Sequence, residues 1–114
     1  MTWDYEAPLQ DMGFALREVL RAPDSWQQCP TWQGLDSDTV EMVLQEAARF
    51  SREQLLPLNR RGDQQGCRRT EAGEVFTPEG FRQAYEAFVE GGWPALPCSS
   101  EFGGQGLPLS LIHI

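Results

Sequence analysis

FVEGGWPALPCSSEFGGQGLP, residues Phe88 to Pro108, separates a run of amphipathic helices from an irregular segment. A helix gives out at Gly91 and Gly92, Trp93 follows in a stretch bracketed by prolines, and the run closes on Gly103, Gly104 and Gly106. Three glycines among four residues allow positive φ and close approach of a neighbour, a freedom that costs entropy on folding. Two readings stay open: a tight corner that fixes the next helix, or a loop that approaches a ligand.

Upstream of that stretch, Phe81, Ala84, Tyr85 and Phe88 fall at i, i+3, i+4 and i+7. That spacing predicts a helix with one apolar face, Thr77 as its cap, Pro78 in its first position and Glu79 in its first turn. Burial of the face is worth on the order of 2 kcal/mol per large side chain before entropy is counted. Further back, Asp38 with Glu41 reads as a capping box opening a long helix. Its apolar face runs through Val40, Val43, Leu44, Ala47, Phe50, Ser51, Gln54, Leu55 and Leu58. Pro57 should bend the last turn, with the helix fading out over Asn59–Gly62. At the start of the chain, after a lead in which Trp3 and Tyr5 alternate, Ala7 and Pro8 open a first helix. Its stripe is Leu9, Met12, Leu16, Val19 and Leu20; Pro23 ends it, and Pro23 to Leu35 reads as a loop or broken turn. Between the second and third helices, RRT and EVF around EAG could close a short two-stranded hairpin. The expected fold class is therefore all-α: three helices packed at one end, with an irregular C-terminal segment.

A chain of 114 residues with 40% hydrophobic and 23% charged positions is one domain with a modest core. Nine basic against seventeen acidic residues, a net charge of −8, argue against nucleic acid as a partner. No apolar run approaches the eighteen or so residues of a membrane span, and MTWDYEAP lacks the basic start of a signal peptide, which points to the cytoplasm. Cys29, Cys67 and Cys98 are odd in number and far apart, hence free thiols. With His113 they form no chelating pair, so no metal is expected.

Among the acids, Glu41, Glu46, Glu53, Glu86 and Glu90 belong to solvated helix faces, and Glu101 reads as a cap or an Arg partner beside the glycine loop. Nucleophilic catalysis lacks a base, since His113 is the one histidine. GGQG lacks the GK[ST] ending of a phosphate loop, and GxGxxG is absent. No catalytic residue is assigned.

EGGWPAL followed by EFGGQGLP resembles the end of the N-terminal helical domain of acyl-CoA dehydrogenases. QLLPLNRRGDQQGC is similar to that family's first long helix and exit loop. YEAPLQDMGFALREVL is similar to the N-terminal extension of a larger, bacterial-type branch that includes the 3-methylmercaptopropionyl-CoA dehydrogenases. The resemblance implies residues 1–36 as extension with first helix, 37–111 as an incomplete N-terminal helical domain, and 112–114 of LSLIHI as a tail foreign to the pattern. It implies a flavoprotein of fatty acid metabolism, an oxidoreductase using FAD to turn an acyl-CoA into the 2,3-enoyl-CoA. A glutamate takes the α-proton and the flavin takes the β-hydride. The partners implied are the acyl-CoA substrate, an electron-transfer flavoprotein and further copies of the chain in a homo-oligomer. The glutamate and most flavin contacts belong to domains absent here, so the fragment is expected to be inactive and not to bind FAD. Phe102, Gly103, Gly104, Gln105 and Gly106 are the positions expected nearest substrate and cofactor, against the plainer reading as a tight turn. Faces that meet the missing domains should leave an apolar patch around Trp93 to Leu111. The rival reading is a stand-alone helical interaction module anchored by Trp26, Trp32 and Trp93.

Overall fold

The computed structural model describes residues 4–113. Trp3 and Ile114, and with them part of the lead and of the LSLIHI tail, lie outside the described residues. The fold is all-α apart from one hairpin, as the periodicities predict. Helix α1 (Leu9–Phe14) runs into a wide π turn, Ala15–Val19. Helix α2 is Ala22–Gln27. Helix α3 (Ser37–Phe50), a second π turn (Ser51–Leu55) and α4 (Leu56–Gln65) form one long rod. Strands β1 (Arg68–Arg69) and β2 (Val75–Phe76) pair antiparallel, Arg68 opposite Phe76 and Arg69 opposite Val75. Helix α5 is Phe81–Glu90, two short 3₁₀ turns follow at Trp93–Ala95 and Ser100–Phe102, and α6 is Ser110–His113.

Four local expectations are corrected. Pro23 does not lead into a loop but sits in the first turn of α2, where its missing N–H costs no helical bond. Arg21, with φ 47°, makes the break between α1 and α2. The cap of α3 is Asp36, not Asp38: its carboxylate accepts the Thr39 N–H at 2.6 Å. That bond, chiefly, holds the Asp36 carboxyl below the usual carboxylate range. Pro57 does not fade the helix out. The turn before it widens so that the Leu56 N–H reaches the Ser51 carbonyl five residues back, and α geometry continues to Gln65. Finally, α5 starts at Phe81, after a turn through Pro78 to Gly80. Gly80, at φ 90°, has no side chain to strike Leu58, and the Gln65 side chain accepts the Glu79 N–H at 3.0 Å. Thr77 therefore caps nothing.

The core joins both ends of the chain. Leu16, Ala22, Trp26, Val40 and Leu111 are buried together, with Trp32, Leu35, Val43, Leu44 and Leu107 packed against them. Burying Leu16 and Trp26 contributes about 2–3 kcal/mol each in transfer terms. The α5 face is different: Ala84 is buried, but Phe81 and Phe88 stay 37% exposed and Tyr85 67%. The expected burial of that face is met at Ala84 and only partly elsewhere. Its aromatic side chains line an open apolar trough of about 650 Å³ with Leu55 and Tyr5.

Candidate functional site

Residues 95–107 form a loop that folds back on itself. The Leu107 N–H donates to Leu96 O at 3.1 Å, Gly106 N–H to Cys98 O at 2.8 Å, Gln105 N–H to Ala95 O at 3.3 Å and Gly104 N–H to Ser99 O at 3.0 Å. Gly103 and Phe102 donate to Ser100 O and Ser99 O, at 3.1 and 3.0 Å. Sequence explains the closure. A Cβ on Gly104 would run into the Cys98 carbonyl and lie 2.6 Å from Cys98 Cβ, so only glycine lets the two strands of the loop touch.

Five sequence-expected site residues are thus brought into one loop but face different ways. Phe102 is 83% exposed, and Gly103 beside it is exposed as well. Gly104 packs against Cys98, while the Gly106 carbonyl accepts the Trp32 indole N–H at 2.8 Å. Gln105 alone of the five turns into a groove, an open cleft of about 480 Å³ between α3 and α5. Phe50 is among its lining residues, its ring 6.2 Å from Trp93 and 6.1 Å from Phe88, both tilted. Tilted aromatic pairs at such separations are favourable.

Charge lies on one wall of the groove. Arg49 pairs with Glu46 at 2.7 Å and with Glu53 at 3.3 Å, one turn apart along α3 and its π extension. The Arg49 hydrogen bond holds the Glu46 carboxyl below its usual range, and the same bond raises the Arg49 guanidinium. All three side chains are about half exposed, so the cluster is a solvated face, as its spacing predicts, and not an acid–base pair. Glu101 departs from expectation: its carboxylate enters no ion pair among the described residues, and the capping atom there is Ser99 Oγ, which accepts the Glu101 N–H at 3.3 Å.

The glycine loop does not fit a flavin or phosphate cradle. Such cradles present unpaired backbone N–H groups to the anion, and here every N–H from Phe102 to Leu107 is bonded within the loop. What the loop offers the groove is shape and the Gln105 amide. No group of three or more His, Cys, Asp or Glu side chains able to hold a metal occurs among the described residues. Among the described residues, no helix is long and apolar enough to cross a membrane.

Two further expectations change. Trp26 is 6% exposed within the core and Trp32 is half-buried with its N–H engaged, so two of the three supposed partner anchors are spent on the chain itself. The apolar patch expected from Trp93 to Leu111 is broken up: Leu96, Pro108 and Leu111 are buried, leaving Phe102 and Leu109 exposed, and the longer exposed apolar stripe runs along α5 instead. The sequence reading missed Trp32 as a tether and Phe50 as a lining residue of the groove. Phe50 was legible as a core-face position of α3, but the Trp32 bond spans 74 positions and leaves no local pattern.

No family model matches the chain. Over 104 residues, 91% of its length, it is 38% identical to the 3-methylmercaptopropionyl-CoA dehydrogenase of Ruegeria pomeroyi. The chain spans 17% of that relative's length.

Proposed function

Since the chain belongs to the acyl-CoA dehydrogenase family by that identity, we propose that it is the N-terminal helical part of an FAD-dependent enzyme that oxidises an acyl-CoA thioester to the 2,3-enoyl-CoA. The observation that carries the proposal is 38% identity over 104 residues, 91% of the chain. On this reading residues 1–36 are an extension, 37–111 the helical domain, and 112–114 a tail outside the pattern.

The shape of the chain supports the same reading. It exposes 8775 Å², whereas a folded monomer of 12.9 kDa exposes about 6,300 Å². Its radius of gyration is 17.5 Å against about 13 Å for a compact chain of this length, and it is a slab 18 Å thick. A slab one or two helices deep, with Tyr85, Phe88 and Val89 open on α5, is a layer made to be covered.

In the proposed enzyme FAD would supply the hydride acceptor, and the glycine loop of this chain would not be what holds it. Because the loop N–H groups are already bonded, no step of the reaction is assigned to this chain. Its contribution is to exclude water and to shape one wall: Phe50, Trp93 and Leu96 line the groove, and Gln105 sets an amide at its edge. Of Phe102, Gly103, Gly104, Gln105 and Gly106, the positions proposed nearest the acyl-CoA and flavin, Gln105 lines the groove while Gly104 and Gly106 hold the loop in shape. The acyl-CoA substrate, an electron-transfer flavoprotein as acceptor, a homo-oligomeric enzyme and a cytoplasmic location complete the proposal.

The test is to sequence intact genomic DNA past the codon for Pro108 and express the whole frame. A β-rich segment, then a second helical domain with a glutamate base, and a yellow protein that reduces an electron acceptor with acyl-CoA are expected. A frame that stops after Ile114 would overturn it.

A further inference from the structure

The loop's internal hydrogen bonds fix its own shape but not its place against α3. Among the described residues, packing of Leu107 on the core and one long-range hydrogen bond do that, the bond running from the Trp32 indole N–H to the Gly106 carbonyl at 2.8 Å. Trp32 lies in the series of turns after α2, where its N–H donates to Cys29 O and its carbonyl accepts from Leu35 N–H, both at 2.9 Å. Its ring packs against the core of Leu16, Trp26 and Val40. Gly106 sits between Gln105, which lines the groove, and Leu107, which packs on that core. With its N–H on Cys98 and its carbonyl on Trp32, Gly106 is gripped on both sides.

We infer that Trp32 is a positioning residue for the groove: its indole N–H, acting through the Gly106 carbonyl, holds Gln105 and the glycine loop against the wall formed by Phe50 and Trp93. The turn region before α3 thereby sets the geometry of a cleft to which it contributes no side chain. Its consequence for substrate rests on the proposed function; the mechanical part does not.

Amide exchange on the 114-residue chain tests the mechanical part. Trp32→Phe keeps an aromatic ring in the core and removes the N–H, and loss of one partly buried hydrogen bond should speed exchange at Gln105, Gly106 and Leu107 about fivefold. The α3 amides should be unchanged. Unchanged loop exchange overturns the inference, and so does equal acceleration throughout α1 to α3, which would mark Trp32 as mere packing. If Trp32→Phe fails to fold, 3-benzothienylalanine at position 32, a bicyclic ring without the N–H, should give the same local acceleration. In the whole-frame enzyme, Trp32→Phe should raise KM for acyl-CoA several-fold with kcat held. An active wild type whose variant has an unchanged KM also overturns the inference. A wild type that oxidises no acyl-CoA defeats the proposed function and leaves the exchange result to decide the positioning.

Discussion

Replacing Gly104 with alanine places a methyl group against backbone, and backbone cannot rotate away as a side chain does. The new Cβ would run into the Cys98 carbonyl and stand 2.6 Å from Cys98 Cβ. One arm of the loop must move out, and overpacking of this kind costs about 1–3 kcal/mol. Moving it also strains the bonds Gly104 N–H to Ser99 O and Gly106 N–H to Cys98 O, now 3.0 and 2.8 Å, each worth about 1 kcal/mol net. A loss of about 2–4 kcal/mol follows, which for a chain of this size lowers Tm by roughly 10 °C or more. Gly103→Ala is the control. Its φ of 82° strains an alanine by roughly 1 kcal/mol, but no atom lies within 4 Å of the added methyl. Thermal melts followed by circular dichroism should rank wild type, Gly103→Ala and Gly104→Ala in falling order. A Gly104→Ala protein that melts with wild type, or above Gly103→Ala, would refute the packed-loop reasoning.

Three further outcomes are expected. Asp36 has a depressed carboxyl in the folded state, so its stabilisation is full above the unfolded value near 3.8 and is lost as pH falls through the lower folded one; melts from pH 6 to 2.5 should fall less steeply for Asp36→Asn, and identical slopes would contradict the cap. Arg49→Gln removes the hydrogen bond that depresses Glu46, so the Glu46 carboxyl midpoint, followed by carbon NMR, should rise toward 4.5; no movement would show the pair is not formed in solution. Tyr85→Ser, at a side chain 67% exposed, should change the stability of the 114-residue chain by no more than about 0.5 kcal/mol in urea, whereas Trp26→Ala in the core should cost about 3–5 kcal/mol. Equal losses at the two sites would mean that α5 is covered in solution.

Periodicity made the three main helices legible, because repeats of three and four residues are local and the long rod of α3 and α4 carries them from Val40 to Leu58, about five turns. The hairpin was legible as RRT and EVF around EAG, while its register, Arg68 opposite Phe76 and Arg69 opposite Val75, comes from the structure. Where prolines and capping residues decided the element ends, local pattern pointed the wrong way. Pro57 reads the same whether the helix stops or widens, and the choice fell to a π turn. Asp38 reads as the cap from its spacing to Glu41, yet Asp36 holds that role, its carboxylate accepting the Thr39 N–H. Within the candidate site the glycine cluster announced itself, but which of its residues face a cleft did not. That depends on Trp32 and Phe50, which reach the loop from 74 positions away and from another helix.

Two halves of the chain are finished to different degrees, and the difference bears on the proposed function. Around Leu16, Trp26, Val40 and Leu111 the N-terminal turns, α3 and the C-terminal segment close on each other, with Phe14, Val19, Leu20, Met42 and Leu109 left on their outer faces. Along α5 the same kind of helical stripe is written in the sequence, yet Phe81, Tyr85, Phe88 and Val89 stay at least 37% open. A stripe at helical spacing is selected by burial, and this chain supplies a cover for one residue of it, Ala84. The closed half therefore anchors the glycine loop, and the open half is the face that the remaining part of a dehydrogenase would have to meet. If the whole-frame enzyme leaves Tyr85 as exposed to solvent as it is in the 114-residue chain, that division of labour is wrong. Tyr85→Ser should then be as harmless in the enzyme as in the chain alone.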